Sequence, residues 1–457
     1  MKLLMICHMA VPHHNAGGET TIHAAFRELV NRGHEVHVAC RPHTNERYFD
    51  DYVFEGVKVV RPPHLSDPYQ WFRSYATRLN PDLILTHLDL TFTAEQLSLD
   101  IDIPLAHFVH NDIKPGFHRV TQSRCQLAIY NSNWVAGNFA YKNVPYVIVH
   151  PVIEPERYKC ERGTKITFIN PTPDKGADTF YALSKKLPHR EFLVVKSVYG
   201  EQIAPPNING GNYPNVEVME HTADVREAFK KSKVVLMPSI YESYGRVAVE
   251  AACAGIPAIV HPTEGLLEAL GAERTEWAIE FARNSLTEHR KFLKWQTPEQ
   301  LRGGWVSGAG IFCDRNDIDS WAAQIERLFD DEIYYHSRSN AALALADSLD
   351  PAAEYDKLEV ALTGTVGRHQ QEREAGNVQM WISDRWIWKM QDGSYKDMRD
   401  QRIPVGSAFL FAGIGTEIPE KIARENGWDT GTKAIEGPAE NKAIESPEQT
   451  KKKKKTA

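Results

Sequence analysis

The chain has 457 residues, 42% of them hydrophobic and 25% charged, with a formal net charge of −7. That length suggests two or three domains of ordinary globular composition, and the charge supplies no global basic field to attract nucleic acid. No apolar run approaches the roughly 20 residues that span a bilayer.

The start, "MKLLMIC", looks superficially like a signal peptide. It breaks at His8 and no small-residue cleavage site follows, so it reads as a buried first strand. "EVHVAC", "DLILTH", "PLAHFVH", "LAIYNS" and "YVIVHP" are further short apolar runs, each expected to be a strand buried on both faces. Between them lie helical patterns such as "TTIHAAFRELVNRG", closed by Gly33. Strand–helix alternation of this kind predicts a parallel, doubly wound sheet ending near Pro151. A second series starts at "KITFIN" and runs through "EFLVVKS", "VEVME", "VVLMPS", "PAIV" and "AGIFC". Two sheets in tandem make a cleft, with ligands at the carboxyl ends of the strands. "RTEWAIEFARNSLTEHRKFLKWQ" reads as a helical excursion before the last strand.

After about residue 366 the character changes. "GRHQQEREAGNVQ" is polar and linker-like, and an aromatic block follows. The block has a hairpin turn expected at Asp392-Gly393 and a short helix near Pro419. The tail, with "KAIEGP", "KAIESP" and five consecutive lysines, has the composition of a disordered, solvated segment.

Six cysteines, Cys7, Cys40, Cys125, Cys160, Cys253 and Cys313, form no C-x-x-C pair. They are expected to be reduced, mostly buried thiols of a cytoplasmic protein. The His13-His14 pair near His8 lacks a third ligand at a recognisable spacing, so loop histidines and no metal are expected.

Four stretches carry chemistry. Gly17 and Gly18, between strand one and helix one, let the backbone approach a ligand, and the helix start offers free N–H groups to an anion. They are not a nicotinamide fingerprint, because G-x-G-x-x-G is absent. Lys175, in "FINPTPDKGAD", precedes a glycine and a helix and can reach a phosphate as a point charge. His110, in "HFVHND", ends a strand where the cleft should be. Glu242 and Glu250 stand eight positions apart in "PSIYESYGRVAVE", the first in a loop and the second inside the following helix. Carboxylates accept two hydrogen bonds from vicinal hydroxyls, so the pair can hold a sugar and a ribose. Ser243, Tyr244 and Gly245 would aim backbone N–H groups between them.

The stretch "PSIYESYGRVAVEAACAGIPAIVHPTEGLLEAL" resembles the E-x7-E region of retaining glycosyltransferases of family 4, which have the GT-B fold. The match takes in Pro238, Ser239, Glu242, Ser243, Gly245, Glu250, Ala251, Gly255, Pro257, Gly265 and Glu268. "NAGGETT" is similar to that family's diphosphate loop, "IYNSNWVA" to its Asn-Ser segment, "VIVHPVIEPERY" to its interdomain link and "PDKGAD" to its lysine–glycine element. The resemblance spans roughly residues 1–345.

The resemblance implies an α/β protein of two facing Rossmann-like domains. These are an acceptor-side domain at 1–151 and a nucleotide-sugar-binding domain at 152–345. A crossing helix and linker at 346–378, a small β-rich aromatic module at 379–430 and a Lys-rich tail at 431–457 complete the chain. His110 and Glu242 become the catalytic candidates. Gly17, Gly18, Asn170, Lys175, Ser243, Tyr244, Gly245, Arg246 and Glu250 become the donor-binding ones. Many family members carry an arginine where this chain has Asn170; Arg246 is a candidate replacement for that charge.

The implied reaction transfers a sugar, with retention, from a nucleotide-diphosphate sugar to an acceptor hydroxyl on a glycan, lipid or protein. Lys175, the helix starts and Arg246 would stabilise the departing diphosphate without a metal ion, so the donor is a co-substrate and no metal or other cofactor is expected. Neither a nucleic-acid partner nor an integral membrane segment is expected. A nucleotide-sugar epimerase, a sugar phosphorylase, or a non-catalytic sugar-nucleotide-binding protein are the alternatives on the same fold. The end of the aromatic block vaguely resembles small modules of actinobacterial phage proteins. A phage structural protein is therefore one conceivable acceptor, and the block one means of docking it.

Overall fold

A computed structural model describes residues 1–41, 51–63, 66–111, 124–197, 200–203, 213–291, 297–374, 380–382, 386–390, 394–398, 407–412 and 417–428. Strand β1 (Lys2–Cys7) is buried from Leu3 onward, as a strand covered on both faces must be. Helix α1 (Gly17–Asn31) leads to β2 (Glu35–Cys40), which pairs in parallel with β1 from Lys2↔Glu35 to Cys7↔Cys40.

The first lobe continues with β3 (Tyr52–Phe54), β4 (Val57–Val60), α2 (Pro68–Leu79), β5 (Leu83–Thr86), α3 (Thr91–Ile101) and β6 (Leu105–Val109). It ends with β7 (Leu127–Tyr130), α4 (Asn133–Phe139) and β8 (Tyr146–Ile148). Its eight strands run in the order β3-β4-β2-β1-β5-β6-β7-β8. The reversal of order beside β1 puts a crevice at the carboxyl end of that strand.

The second lobe comprises β9 (Lys165–Ile169), α5 (Ala177–Lys186), β10 (Phe192–Val195), β11 (Val216–Met219), α6 (Arg226–Phe229) and β12 (Ser232–Met237). Then come α7 (Arg246–Cys253), β13 (Ala258–Val260), α8 (Glu264–Ala269), α9 (Glu276–Lys291), β14 (Trp305–Ser307) and β15 (Gly310–Phe312), with α10 (Ile318–Asp330) and α11 (Glu332–Asp347) closing it. The order is β11-β10-β9-β12-β13-β15-β14. Each sheet has a hydrophobic cluster on either face: Leu3, Met5 and Phe26 oppose Leu4, Ile6 and Phe72 in the first lobe, and Phe168, Phe180 and Trp321 oppose Val235, Leu266 and Phe312 in the second.

Both sheets are parallel as expected, save for one antiparallel edge strand each. β3 pairs antiparallel with β4, and β14 antiparallel with β15. Both are three-residue edge strands, too short to show a periodic pattern. The first hairpin turns through Glu55 and Gly56, both at positive φ (47° and 83°), the two-residue turn that suits strand twist.

Helix α12 (Pro351–Glu374) leaves the second lobe and packs on the first. Tyr355, Leu358, Leu362 and Val366 recur at helical spacing and join the cluster around Leu3 and Met5. The polar start of the expected linker is therefore helical as far as Glu374. One buried face suffices to hold the helix, whatever the polarity of its other face.

In the aromatic block, β16 (Met380–Ile382) pairs with β20 (Glu417–Pro419). β17 (Trp386–Met390) lies between β18 (Tyr395–Met398) and β19 (Ser407–Ala412), and α13 (Glu420–Glu425) follows. β17 and β18 are antiparallel neighbours, as a hairpin there requires; Asp392-Gly393 and the tail at 431–457 lie outside the described residues. The block touches the first lobe through Tyr395, whose hydroxyl donates to Glu95 Oε1 at 3.2 Å. Among the described residues no helix is long and apolar enough to cross a membrane.

Candidate functional site

The loop between β12 and α7 rests on two glycines. Gly245 sits at φ +100°, and a Cβ there would come within 2.3 Å of Leu266 Cδ2. A Cβ on Gly265, in α8, would lie 2.2 Å from the Glu242 carbonyl oxygen. Only glycine at both places lets the 242–245 loop lie flat on α8. One turn further along α8, Glu268 crosses to the first lobe. It accepts from the Asn133 backbone N–H at 2.8 Å, Asn133 Nδ2 at 2.7 Å and the Trp134 N–H at 3.2 Å, satisfying free donors at the start of α4. It also meets His150 Nε2 at 2.8 Å. The chain pattern around Gly265 and Glu268 thus fixes both the loop and the lobe-to-lobe contact.

The cations sit in pairs. Lys175 precedes Gly176, the left-handed cap of α5 (φ +91°), and its Nζ donates to Glu242 Oε1 at 2.6 Å. Arg246, the first residue of α7, donates to Glu250 one turn on, to Tyr158 Oη at 2.6 Å and to Thr21 Oγ1 of the first lobe at 2.9 Å. Burial opposes the Arg246 charge, but Glu250 and Tyr158 outweigh it and its pKa is raised. Asn170 also stands in left-handed backbone (φ +66°) at the end of β9, and its Oδ1 accepts from Gln202 Nε2 at 2.8 Å. Sequence reasoning overlooked a further cation. Arg315, just past β15, is buried and donates to Asp178 Oδ1 at 2.7 Å and to the Pro173 carbonyl at 3.3 Å, flanking the Lys175 turn. Its one sequence signal was a basic residue closely following a strand end.

On the first lobe, Gly17 and Gly18 form the first turn of α1. A Cβ on Gly18 would meet His87 Nε2 at 2.9 Å, while one on Gly17 would meet nothing within 4 Å. The His87 ring lies against His110, with centroids 5.0 Å apart. Burial, then the neighbouring His87, His107 and Arg246, push the His110 pKa well below its usual value, so the ring is neutral at physiological pH. Asn131 Nδ2 donates to the His110 carbonyl at 3.1 Å and to Ser243 Oγ of the second lobe at 2.9 Å. The Tyr244 ring packs on His150 across the same boundary, centroids 5.4 Å apart.

Between the lobes lies a cavity of about 660 Å³. Gly17, Thr20 and Arg27 line one wall and Arg246, Val247 and Glu250 the other. Gly18, His110, Asn170, Lys175, Glu242, Ser243, Tyr244 and Gly245 are not in its lining. Gly18, Asn170 and Gly245 each adjoin a lining residue in the chain, His110 lies beside Gly18, and Lys175 and Glu242 pair with each other outside the lining. The site thus offers an open cleft with a glycine helix start on one side and a second helix start, an arginine and a carboxylate on the other.

Two Rossmann-like lobes facing across such a cavity define the GT-B fold. Residues 16–157 match the model for Glycosyltransferase Family 4, and residues 207–358 match that for Family 4 Glycosyltransferase in conflict systems. One match falls on each lobe, and together they support an assignment to glycosyltransferase family 4; neither reaches residues 379–430. No curated protein matches the chain.

Among solved structures, the sucrose-phosphate synthase of Thermosynechococcus elongatus is 13% identical, with a TM-score of 0.55 over 82% of this chain and 99% of that one. The catalytic domain of starch synthase IV from Arabidopsis thaliana, bound to ADP and acarbose, is 13% identical with a TM-score of 0.56 over 80% and 99%. An alpha-glucosyltransferase in complex with UDP and a 13-mer DNA is 13% identical with a TM-score of 0.51 over 79% and 99%.

Proposed function

We propose that the chain is a retaining glycosyltransferase that moves a sugar from a nucleotide-diphosphate sugar to an acceptor hydroxyl. The observation that carries this reading is the interlobe cavity, where Gly17 faces Arg246 and Glu250. The leaving diphosphate gains negative charge as the glycosidic bond breaks. The starts of α1 and α7 present N–H groups to it, and Lys175 and Arg246 supply fixed cations. In the absence of donor, Lys175 and Glu242 neutralise each other. A bound diphosphate takes over the lysine and releases the Glu242 carboxylate to the hydroxyls of the sugar. Glu250 accepts from the ribose hydroxyls. Neutral His110 hydrogen-bonds the transferred sugar and does not act as an acid. The departing phosphate serves as base for the acceptor on the same face, which gives retention without a metal ion.

A thermal-shift series with UDP-, GDP- and ADP-sugars is the first test. The correct donor at 100 times its dissociation constant stabilises by about 2.7 kcal/mol. Lys175→Ala should then lower donor turnover by roughly two to three decades. If no nucleotide sugar stabilises the chain, or the lysine variant turns donor over at the normal rate, the reading fails. Asn170, in place of a cation, favours one rival: a nucleotide-sugar-binding protein without catalysis. Donor stabilisation with no turnover on any acceptor would support that rival. Faster release of free nucleotide when acceptor is added, with the sugar appearing on that acceptor, distinguishes transfer from epimerisation.

For the acceptor, we favour a protein brought to the cavity by the aromatic block. The description of the second family model, glycosyltransferases in conflict systems, names no acceptor; a phage structural protein is the candidate that the aromatic block suggests. One structural neighbour is bound to DNA, but the net charge of −7 opposes a nucleic-acid acceptor here.

A further inference from the structure

The connection from β1 to α1 carries three ligand-type side chains that the transfer reaction does not use. His8 follows the end of β1, His14 lies in the turn beyond it, and Glu19 belongs to the first turn of α1. One ligand atom from each lies within 4.8 Å of the other two. His8 Nε2 is 3.3 Å from Glu19 Oε1, and the His8 and His14 rings meet at 69° with centroids 6.0 Å apart. His8 and Glu19 are buried and His14 is half-buried. No other triple of this kind occurs among the described residues.

Two ligands each bound at about 2.0–2.1 Å to a tetrahedral zinc ion stand about 3.3 Å from one another. The His8–Glu19 separation already has that value, and both sides that involve His14 lie within 4.8 Å, a gap that a movement of the His14 turn would close. We infer that His8, His14 and Glu19 form a site for a divalent transition metal of the zinc class, with a fourth position open to water.

Two imidazoles and one carboxylate suit zinc far better than magnesium or calcium, which take oxygen ligands. The sequence hid the site because its third member comes from the next helix, eleven positions after His8. Its position gives its role. The ligands bracket residues 8–19, the segment that presents Gly17 to the cavity. A bound ion cross-links the end of β1 to the first turn of α1 and holds that glycine turn in place. The site is independent of the transfer chemistry, whose cations are Lys175 and Arg246.

The test uses the full-length chain, stripped with a chelator and titrated with zinc chloride by calorimetry and by thermal shift. One saturable, tightly held zinc per chain and a raised melting midpoint are expected. His14→Ala and Glu19→Gln should each weaken zinc binding at least about tenfold, since even outer-shell partners are worth roughly 10- to 100-fold. His14 is partly exposed, so its variant should keep the fold, as circular dichroism would verify. Cobalt in place of zinc should give the visible absorption of a tetrahedral ion in the wild type and lose it in His14→Ala. An absence of saturable zinc binding would overturn the inference. So would both variants binding zinc within tenfold of the wild type, because the metal would then sit on surface histidines and His8–Glu19 would be a plain ion pair. Neither result bears on whether a nucleotide sugar binds, so this inference and the proposed function fail separately.

Discussion

Arg246 ties the site together at the scale of single residues. Its guanidinium serves Glu250, Tyr158 and Thr21 at once, and Thr21 belongs to the opposite lobe. A lysine cannot copy a planar fork with several fixed donors. Arg246→Ala leaves the buried Glu250 carboxylate without its partner, and breaking such a pair costs about 3–5 kcal/mol. Urea denaturation should show that loss, and donor turnover should fall by about two to three decades. If neither donor affinity nor turnover changes, Arg246 does not replace the charge missing at Asn170. Gly17 offers a cleaner probe. A Cβ there meets no protein atom within 4 Å, yet the position lines the cavity. Gly17→Ala should leave the melting midpoint nearly unchanged while raising the KM for the donor; an unchanged KM would mean the phosphates lie elsewhere.

Two elements lock the lobes in register at the next scale. His150, two residues past β8, meets Glu268 of α8 at 2.8 Å and Glu354 of α12 at 3.3 Å. Burial pulls the ring's pKa down, but the two carboxylates outweigh it and hold it at about 9. The same contacts keep Glu268 and Glu354 below the usual carboxylate range, against the effect of burial. A histidine raised in the folded chain stabilises fully below its unfolded value of about 6.5, and that share is lost as pH rises through about 9. The carboxylates contribute above about 4.5 and lose their share as pH falls below it. Partial exposure of the triad limits the histidine's share to about 1–3 kcal/mol. Stability measured by denaturant between pH 6.5 and 9 should therefore decline in the wild type and be flatter in His150→Gln. Equal slopes would show that the triad carries no such weight.

Over the whole molecule, α12 makes the chain a closed circuit, first lobe to second and back. Its inner face completes the core around Leu3 and Met5, so a truncation meant to test the aromatic block must spare residues 351–374. Removing residues 375–457 should leave donor hydrolysis intact and abolish modification of a protein acceptor. Modification of that acceptor at the full rate by the truncated chain would refute the docking role. A fall in both activities together would point instead to the block's contact with Glu95 as a support for the first lobe.

The main strands of both lobes were legible because a strand buried on both faces must be a short apolar run, as in "KLLMIC" and "VVLMPS". The turns at Gly17, Lys175 and 242–250 were legible as helix starts because such turns after buried strands have recognisable punctuation. The edge strands β3 and β14 were not, since three residues show no period. The resemblance implied the crossing helix α12, but not its extent to Glu374, since a helix that buries one stripe resembles a linker wherever its polar face dominates. Local chemistry, then, was set along the chain: where strands end, where glycine must stand, and which cations precede helices. Only the folded arrangement decided which groups meet. The pairing of Arg246 with Thr21, of Asn131 with Ser243, of Arg315 with the Lys175 turn and of His8 with Glu19 depends on how strand ends converge in space. That convergence is set by sheet order and lobe packing, which are collective properties of the core and leave no mark on any single stretch of sequence.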